Sequence, residues 1–174
     1  MRKLKYAFLL MSPLLLLSCH KIVSLPDTPF IRFTSFKVFD TTDILGNDCK
    51  GGRLKFYFQD GDGDLGLNAP ESGQTDTTNL FLTLYRKNNG VFTQVPDNDL
   101  LKPSGYRIPY MERTGQNKIL KGTIAVTFFY EFYNTQDSNV FKYRFYIKDR
   151  ADNYSDTIWT CEIPLSVDSL YTGN

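Results

Sequence analysis

A period of two in the hydrophobic pattern is the feature that most limits what this chain can fold into. In an extended strand successive side chains point to opposite faces, so alternating apolar and polar residues are typical of strands with one buried face. Such alternation runs through RLKFYFQ (53–59), NLFLTLYR (79–86), VFKYRFYIK (140–148) and TIWTCEIPL (157–165). In the last of these the pattern predicts one shared face for Trp159, Cys161, Ile163 and Leu165.

Turn-forming residues separate these stretches. Asn89-Gly90 predicts a tight hairpin, because both residues tolerate the positive φ that such turns need. The first stretch, FIRFTSFKVF, alternates correctly only with a bulge near Thr34 and Ser35. Pro109 cannot donate a ladder hydrogen bond, so it predicts an edge strand around it.

The number and spacing of these stretches predict an all-β fold. Seven or eight short strands without helical periodicity favour an antiparallel β-sandwich of immunoglobulin or fibronectin-III type, spanning residues 30–168. An up-and-down barrel is the alternative. Residues 169–174 are expected to be a C-terminal tail.

The N-terminus has the organisation of a secretory signal peptide. Three basic residues precede an apolar run that is too short to span a membrane. The run ends in LLSC (16–19), which resembles the lipobox of bacterial lipoproteins, in which the cysteine is lipidated. We therefore expect a signal peptide over 1–18, lipid attachment at Cys19 and a proline-containing tether over 19–29. An ordinary cleaved signal with an incidental cysteine is the alternative reading.

The residues after Cys19 bear on the location of the anchor. Lys21 is followed by no acidic residue until Asp27, so the acidic run typical of surface-exported lipoproteins is absent. No aspartate directly follows the cysteine, so the inner-membrane retention pattern is absent too. We expect an outer-membrane anchor, such as palmitate on Cys19, facing the periplasm; display on the cell surface is the alternative.

The charge and histidine content exclude two classes of function. Without residues 1–18, which carry three basic residues and no acidic one, 17 of the 20 basic residues remain against 19 acidic ones, a formal charge of −2. A nucleic-acid partner would require a basic surface, so none is expected. The one histidine, His20, lies beside the anchor, which excludes histidine-based triads and histidine-rich zinc sites.

Two cysteines remain once Cys19 carries lipid. Cys49 and Cys161 form an even pair in an oxidising compartment, where a disulfide is permitted. Two separate thiols are the alternative, since nothing in the sequence shows that the two residues are close.

The stretch DGDGDLGLNAPE (60–71) carries the strongest chemical signal. Asp60, Asp62 and Asp64 fall at alternate positions with glycines between them, so their carboxylates can converge on one hard cation. Leu65 stands where an EF-hand loop has glycine, and the flanks are strands. The match therefore predicts calcium-type chemistry and not the EF-hand fold.

A second acidic loop, KDRADNYSD (148–156), is expected at the same end of the sandwich. In an immunoglobulin-like arrangement the loops after the second and sixth strands meet there. Asp149 and Asp152 would then join the first loop as metal ligands for a structural calcium ion. Solvated turns, in which aspartate and glycine are simply favoured, are the alternative.

These same stretches resemble a group of uncharacterised lipoproteins from Bacteroidota. The resemblance lies in LLSC (16–19), the strand running into DGDGDLG (56–66), the KG strand (121–126) and the hairpin IKDRADNYSDTI (147–158). It implies a lipidated cysteine, an immunoglobulin-like sandwich carrying a DGDGD loop, an envelope location and no established activity.

The expected function is that of a non-catalytic cell-envelope lipoprotein whose sandwich binds or scaffolds an unidentified partner. The alternative is a carbohydrate-binding accessory lipoprotein of a polysaccharide-utilisation system, with Trp159, Tyr106 and Tyr110 stacking on sugar rings. A hydrolase using paired carboxylates is the third reading. No acidic pair stands out, so an enzyme is not expected.

Overall fold

The computed structural model describes residues 25–75, 77–103, 105–112, 118–134 and 140–173, and these form nine strands. The predicted signal peptide, Cys19 and His20 lie outside the described residues. The strands are β1 (Phe30–Thr42), β2 (Asp48–Asp60), β3 (Leu80–Asn88), β4 (Val91–Gln94), β5 (Leu120–Tyr130), β6 (Val140–Ile147), β7 (Ile158–Trp159), β8 (Ile163–Pro164) and β9 (Leu170–Thr172). No helix among the described residues is long and apolar enough to cross a membrane.

The strands form two antiparallel sheets, which confirms the predicted all-β sandwich. The first sheet has the order β5-β2-β1-β9, and the second has the order β4-β3-β6-β7 with β8 also paired to β6. This partition is of the immunoglobulin type, with β2 inside one sheet and β6 inside the other. The loops that follow β2 and β6 therefore meet at one end.

Aromatic rings from the two sheets meet in the core. The Phe36 ring in β1 stacks on Tyr143 in β6 at a centroid distance of 5.7 Å, and Phe56 in β2 meets Phe145 at 5.4 Å. All four are fully buried, as the alternating pattern predicts. Burial of each such side chain contributes about 1.5–3 kcal/mol, so these pairs fix one sheet against the other.

Two predicted local features are confirmed. Asn89 and Gly90 have φ values of 49° and 81° and connect β3 to β4. The register between β1 and β2 shifts between Phe33 and Ser35, where the bulge was expected. Beyond this bulge, Phe36 faces the core.

The stretch TIWTCEIPL does not form one strand, and the predicted shared face is wrong at Trp159, whereas Cys161, Ile163 and Leu165 do lie against or in the core. Thr160 is buried and closes a hydrogen-bonded pair with Tyr143, donating its N–H to Tyr143 O at 2.9 Å and accepting the Tyr143 N–H on Oγ1 at 3.0 Å. This inward position turns Trp159 to solvent, with 46% of it exposed, while Ile163 is buried. The break between β7 and β8 thus changes which residues face the core.

Two further expectations differ from the structure. Residues 169–173, expected as a tail, are part of the sandwich, because β9 pairs with β1 at Ser35 and Thr172. Around Pro109 there is no edge strand within the described residues; an isolated bridge joins Pro109 to Leu67. The bridge uses the neighbours of the proline, since the Leu67 N–H donates to Ile108 O at 2.9 Å and the Tyr110 N–H donates to Leu67 O at 2.8 Å.

Candidate metal centre

Four aspartates converge where the loops after β2 and β6 meet. Asp60, Asp62, Asp64 and Asp149 each offer one carboxylate oxygen, and these oxygens all lie within 4.8 Å of one another. We call this set the acidic cluster. It brings together four of the five residues that the sequence analysis singled out as metal ligands.

Asp60 is the innermost member of the acidic cluster. It is the last residue of β2 and has no exposed surface. Its Oδ2 accepts the Leu65 N–H at 2.8 Å, which bends the loop back on itself, whereas its buried Oδ1 has no hydrogen-bond partner. A buried carboxylate oxygen without a donor is costly, and a cation would supply the missing interaction.

Glycine conformations let this loop curl tightly. Gly63 and Gly66 have φ values of 68° and 99°, in the left-handed region that other residues rarely adopt. At Gly66 a Cβ would lie 2.4 Å from Pro109 O, so only glycine fits there. The glycines in this stretch thus allow the curled backbone, and the aspartates between them supply the carboxylates of the acidic cluster.

Asp149 is presented by a closed turn after β6. It is 1% exposed and accepts two hydrogen bonds from Asn153, on Oδ1 from the backbone N–H at 2.8 Å and on Oδ2 from Nδ2 at 3.0 Å. The Asp149 N–H in turn donates to Asn153 O at 3.1 Å. These contacts hold the carboxylate in place beside the first loop.

Asp152 was expected to be a ligand but is not part of the acidic cluster. Its φ of 64° reverses the chain, and its Oδ1 lies 3.3 Å from Lys148 Nζ. The side chain therefore pairs with a lysine at the start of the same turn.

Two carboxyl groups of the acidic cluster have raised pKa values, so their ionised forms are disfavoured unless a cation binds. Burial raises the pKa of Asp60 to about 7, and the neighbouring charges of Asp62 and Asp64 act in the same direction. Burial also raises the pKa of Asp64, with further contributions from Asp149 and Asp62. Carboxylates this close repel one another when ionised, and a bound cation relieves that repulsion.

Arg150 is a residue of this site that the sequence analysis missed. Its Nη1 donates to Gly66 O at 2.7 Å, which ties the second loop to the first. The guanidinium lies 4.9 Å from the centroid of the Tyr110 ring. Its positive charge partly offsets the rise in the pKa of Asp64 that burial causes. Its position directly after Asp149 in DRADN was the available signal.

The donor set fits a hard divalent cation. All four side chains supply carboxylate oxygens, the ligands that such ions prefer. Calcium takes six to eight oxygens at about 2.3–2.6 Å, so ligands on opposite sides of the ion lie roughly 4.8 Å apart. The acidic cluster could therefore bind a metal ion within its observed dimensions.

Cys49 and Cys161 are free thiols, so the disulfide that the sequence permitted is not formed and the alternative of two separate thiols holds. Cys49 pairs with Thr41 near one end of β1, whereas Cys161 lines a groove with Phe33, nearer the other end. At a strand rise of about 3.3 Å per residue, Phe33 and Thr41 lie about 25 Å apart. A disulfide requires Cα atoms within about 7 Å, so the fold keeps these cysteines apart.

The three aromatic residues predicted to stack on sugars lie in different places. Tyr106 packs edge-on against Phe128 at 5.2 Å, and burial raises the pKa of its hydroxyl to about 12. Tyr110 is 48% exposed beside Arg150, near the acidic cluster. Trp159 is exposed on the second sheet. The structure therefore does not unite them in one row.

Comparison of the chain with protein-family models, with curated proteins and with solved structures finds no match. The acidic cluster is the strongest chemical feature among the described residues.

Proposed function

We propose that this protein is a non-catalytic, lipid-anchored β-sandwich of the cell envelope that binds or scaffolds a partner and carries a structural calcium ion at one end. The acidic cluster is the feature that supports the calcium ion. The signal-like N-terminus and LLSC (16–19) support the anchor.

One observation carries the metal proposal. Asp60 has no exposed surface, and its Oδ1 has no hydrogen-bond partner although three other aspartates contribute oxygens within 4.8 Å. An ionised carboxylate in that position is destabilising unless a cation or a proton neutralises it. A donor set that contains only oxygen suits a hard cation such as calcium better than zinc or copper, which favour nitrogen and sulfur ligands.

The burial of two members of the acidic cluster supports a structural role for the ion, although Asp62 and Asp64 are partly exposed. Asp60 and Asp149, at 0% and 1% exposure, are closed off from solvent. A catalytic ion must keep a position open for substrate, whereas a structural ion is held by protein on most sides. An ion at this position would join the loop after β2 to the loop after β6, and so one sheet to the other.

The direction of the chain supports anchoring from the metal end. The Gly61 N–H donates to Pro26 O at 3.1 Å, so the first described residues, from Leu25, lie beside the loop of the acidic cluster. The tether proposed over 19–29 would thus leave the sandwich at this end. The opposite end of the domain would point away from the membrane.

The melting temperature of the full chain in non-ionic detergent tests the calcium ion. Calcium at about 100 times its Kd should add about 2.7 kcal/mol to the free energy of unfolding. For a domain of this size, the melting temperature should then be about 5–10 °C higher in calcium than in chelator. Asp64→Asn should abolish most of this rise. Asp152→Asn is the matched control, because Asp152 pairs with Lys148 instead, and it should keep the rise.

Two outcomes would contradict the calcium proposal. One is an equal melting temperature of the wild-type protein in calcium and in chelator. The other is an equal loss of the calcium response in Asp64→Asn and Asp152→Asn, which would show that the response does not depend on the acidic cluster.

A further inference from the structure

The outer face of the second sheet presents a row of aromatic side chains beside an exposed arginine. Trp159 in β7 is directly opposite Arg144 in β6, and both are exposed. Further along β6 comes Tyr146, whose ring lies 6.0 Å from that of Tyr154. We call Trp159, Arg144, Tyr146 and Tyr154 the aromatic row.

Neighbouring rings hold the aromatic row in place. Trp159 is 46% exposed and packs edge-on against Tyr85 of β3 at 4.7 Å. Tyr146 stacks on Phe81 of β3 at 4.9 Å with an interplanar angle of 17°. Ring surfaces that are supported by their neighbours lose little conformational entropy when a flat ligand binds to them.

The two most exposed rings are spaced along the strand direction. Trp159 is level with Arg144, and Tyr154 forms an isolated bridge with Lys148, which is four residues further along the chain and just past the end of β6. At about 3.3 Å per residue this separation is about 13 Å. Tyr154 is 53% exposed, so an extended ligand can lie across both rings with Arg144 beneath it.

The charges beside the aromatic row favour an anionic ligand. Among the described residues, Arg144 and Lys142 have no carboxylate within ion-pair distance, whereas Lys87 pairs with Glu162 at 2.9 Å. Asp156 is the exposed carboxylate in the segment between Tyr154 and Trp159. Arg144 and Lys142 contribute two positive charges and Asp156 one negative charge, so this face has a net charge of +1. The chain without residues 1–18 has a formal charge of −2.

We propose that the aromatic row binds an acidic polysaccharide. The C–H faces of successive sugar rings would lie on Trp159 and Tyr154, and the guanidinium of Arg144 would bind a carboxylate or sulfate group of the polymer. This inference rests on the proposed role as a binding module and names its ligand class, but it does not require the calcium ion. A single-stranded nucleic acid would also stack, but the overall negative charge of the mature chain disfavours it.

Affinity electrophoresis of the full chain in non-ionic detergent tests this site. The probe polymers are polygalacturonate, which carries carboxylates, chondroitin sulfate, which also carries sulfates, and neutral dextran. Wild-type protein should be retarded by at least one acidic polymer and not by dextran, and added salt should weaken the retardation. Which acidic polymer retards it more distinguishes carboxylate from sulfate recognition.

Three variants locate the binding. Trp159→Ala and Tyr154→Ala should each weaken retardation about five- to ten-fold, and Arg144→Gln about ten-fold, the loss expected for one charge-assisted hydrogen bond. Arg53→Gln and Tyr110→Ala are the controls, because Arg53 is exposed on the first sheet and Tyr110 lies beside Arg150. Both should bind as wild type does, and all variants should keep the wild-type circular dichroism spectrum.

Several results would overturn the proposal. These are no retardation of the wild-type protein by either acidic polymer, equal retardation by dextran, equal weakening in the two control variants, or tighter binding to single-stranded DNA than to both acidic polymers. None of them bears on the calcium response, which is measured separately by melting temperature. Failure of the ligand proposal and failure of the proposed metal site are therefore distinguishable.

Discussion

Asp60 and Asp149 lie at the ends of strands from different sheets, yet they place carboxylate oxygens within 4.8 Å of each other. Asp60 ends β2 in the first sheet, and Asp149 follows β6 in the second. The burial of Asp60, which raises the pKa of its carboxyl, makes this end of the sandwich sensitive to pH.

The pH dependence of stability should reverse between metal-free and calcium-bound protein. In the metal-free protein the pKa of Asp60 is raised to about 7, whereas an unfolded aspartate titrates near 3.9. Between about pH 4 and pH 7 the folded state therefore binds more protons than the unfolded state. The free energy of unfolding must then fall as pH rises through this window.

Melting temperatures measured from pH 5 to pH 8 in EDTA should show this fall, and saturating calcium should remove or invert it. Asp60→Asn eliminates the main titrating group, so its metal-free profile should be much flatter. A smaller slope should remain from Asp64, whose pKa is also raised. A wild-type profile that is flat or rising in EDTA would contradict the buried, unpaired position of Asp60.

Gly61→Ala should separate the N-terminal segment from the loop of the acidic cluster. A Cβ at this position would lie 2.3 Å from Pro26 O and 2.5 Å from Leu25 O, and these backbone atoms cannot move aside cheaply. We expect a loss of about 1–3 kcal/mol, measured by denaturant unfolding, and faster hydrogen exchange of the residue 61 amide. In Gly122→Ala, the control, the Cβ meets only the edge of the Phe58 ring at 3.3 Å, so the loss should be clearly smaller.

The buried hydroxyl pair of Tyr130 and Tyr143 should show strong coupling. The two oxygens are 2.5 Å apart in the core, and burial raises the pKa of both tyrosines. Tyr143→Phe leaves the Tyr130 hydroxyl without this partner and should cost about 1–3 kcal/mol. The double variant Tyr130→Phe, Tyr143→Phe removes both hydroxyls, so neither is left unpaired. Its loss of unfolding free energy, measured in urea, should therefore be well below the sum of the losses in the two single variants. Additive losses would show that the hydrogen bond contributes little.

Cys19→Ala should release the protein from membranes. Each buried methylene of an acyl chain contributes about 0.8 kcal/mol of membrane affinity. A cysteine that carries several acyl chains would therefore hold the protein on the membrane almost permanently. The measurement is the distribution of the protein between membrane pellet and supernatant, with Cys49→Ala as the control that should stay in the pellet. Continued membrane association of Cys19→Ala would rule out lipid attachment at this residue as the anchor.

Local features of this protein follow from the sequence by itself. Period-two alternation identifies the strands because it is the geometry of one extended chain, and Asn89-Gly90 identifies a turn because its φ requirement is local. The alternating aspartates of 60–64 mark a loop that could bind a metal ion for the same reason, since three carboxylates close together in the sequence are recognised without a distant partner.

Relationships between distant segments are decided only by the tertiary structure. The packing of two sheets brings Asp149 into the acidic cluster, while a positive φ sends Asp152 to Lys148 instead. The inward turn at Thr160 exposes Trp159 against the simple alternation, and opposite positions along β1 keep Cys49 from Cys161. These outcomes depend on which strands neighbour one another and where a strand breaks, and neither is encoded in a local repeat.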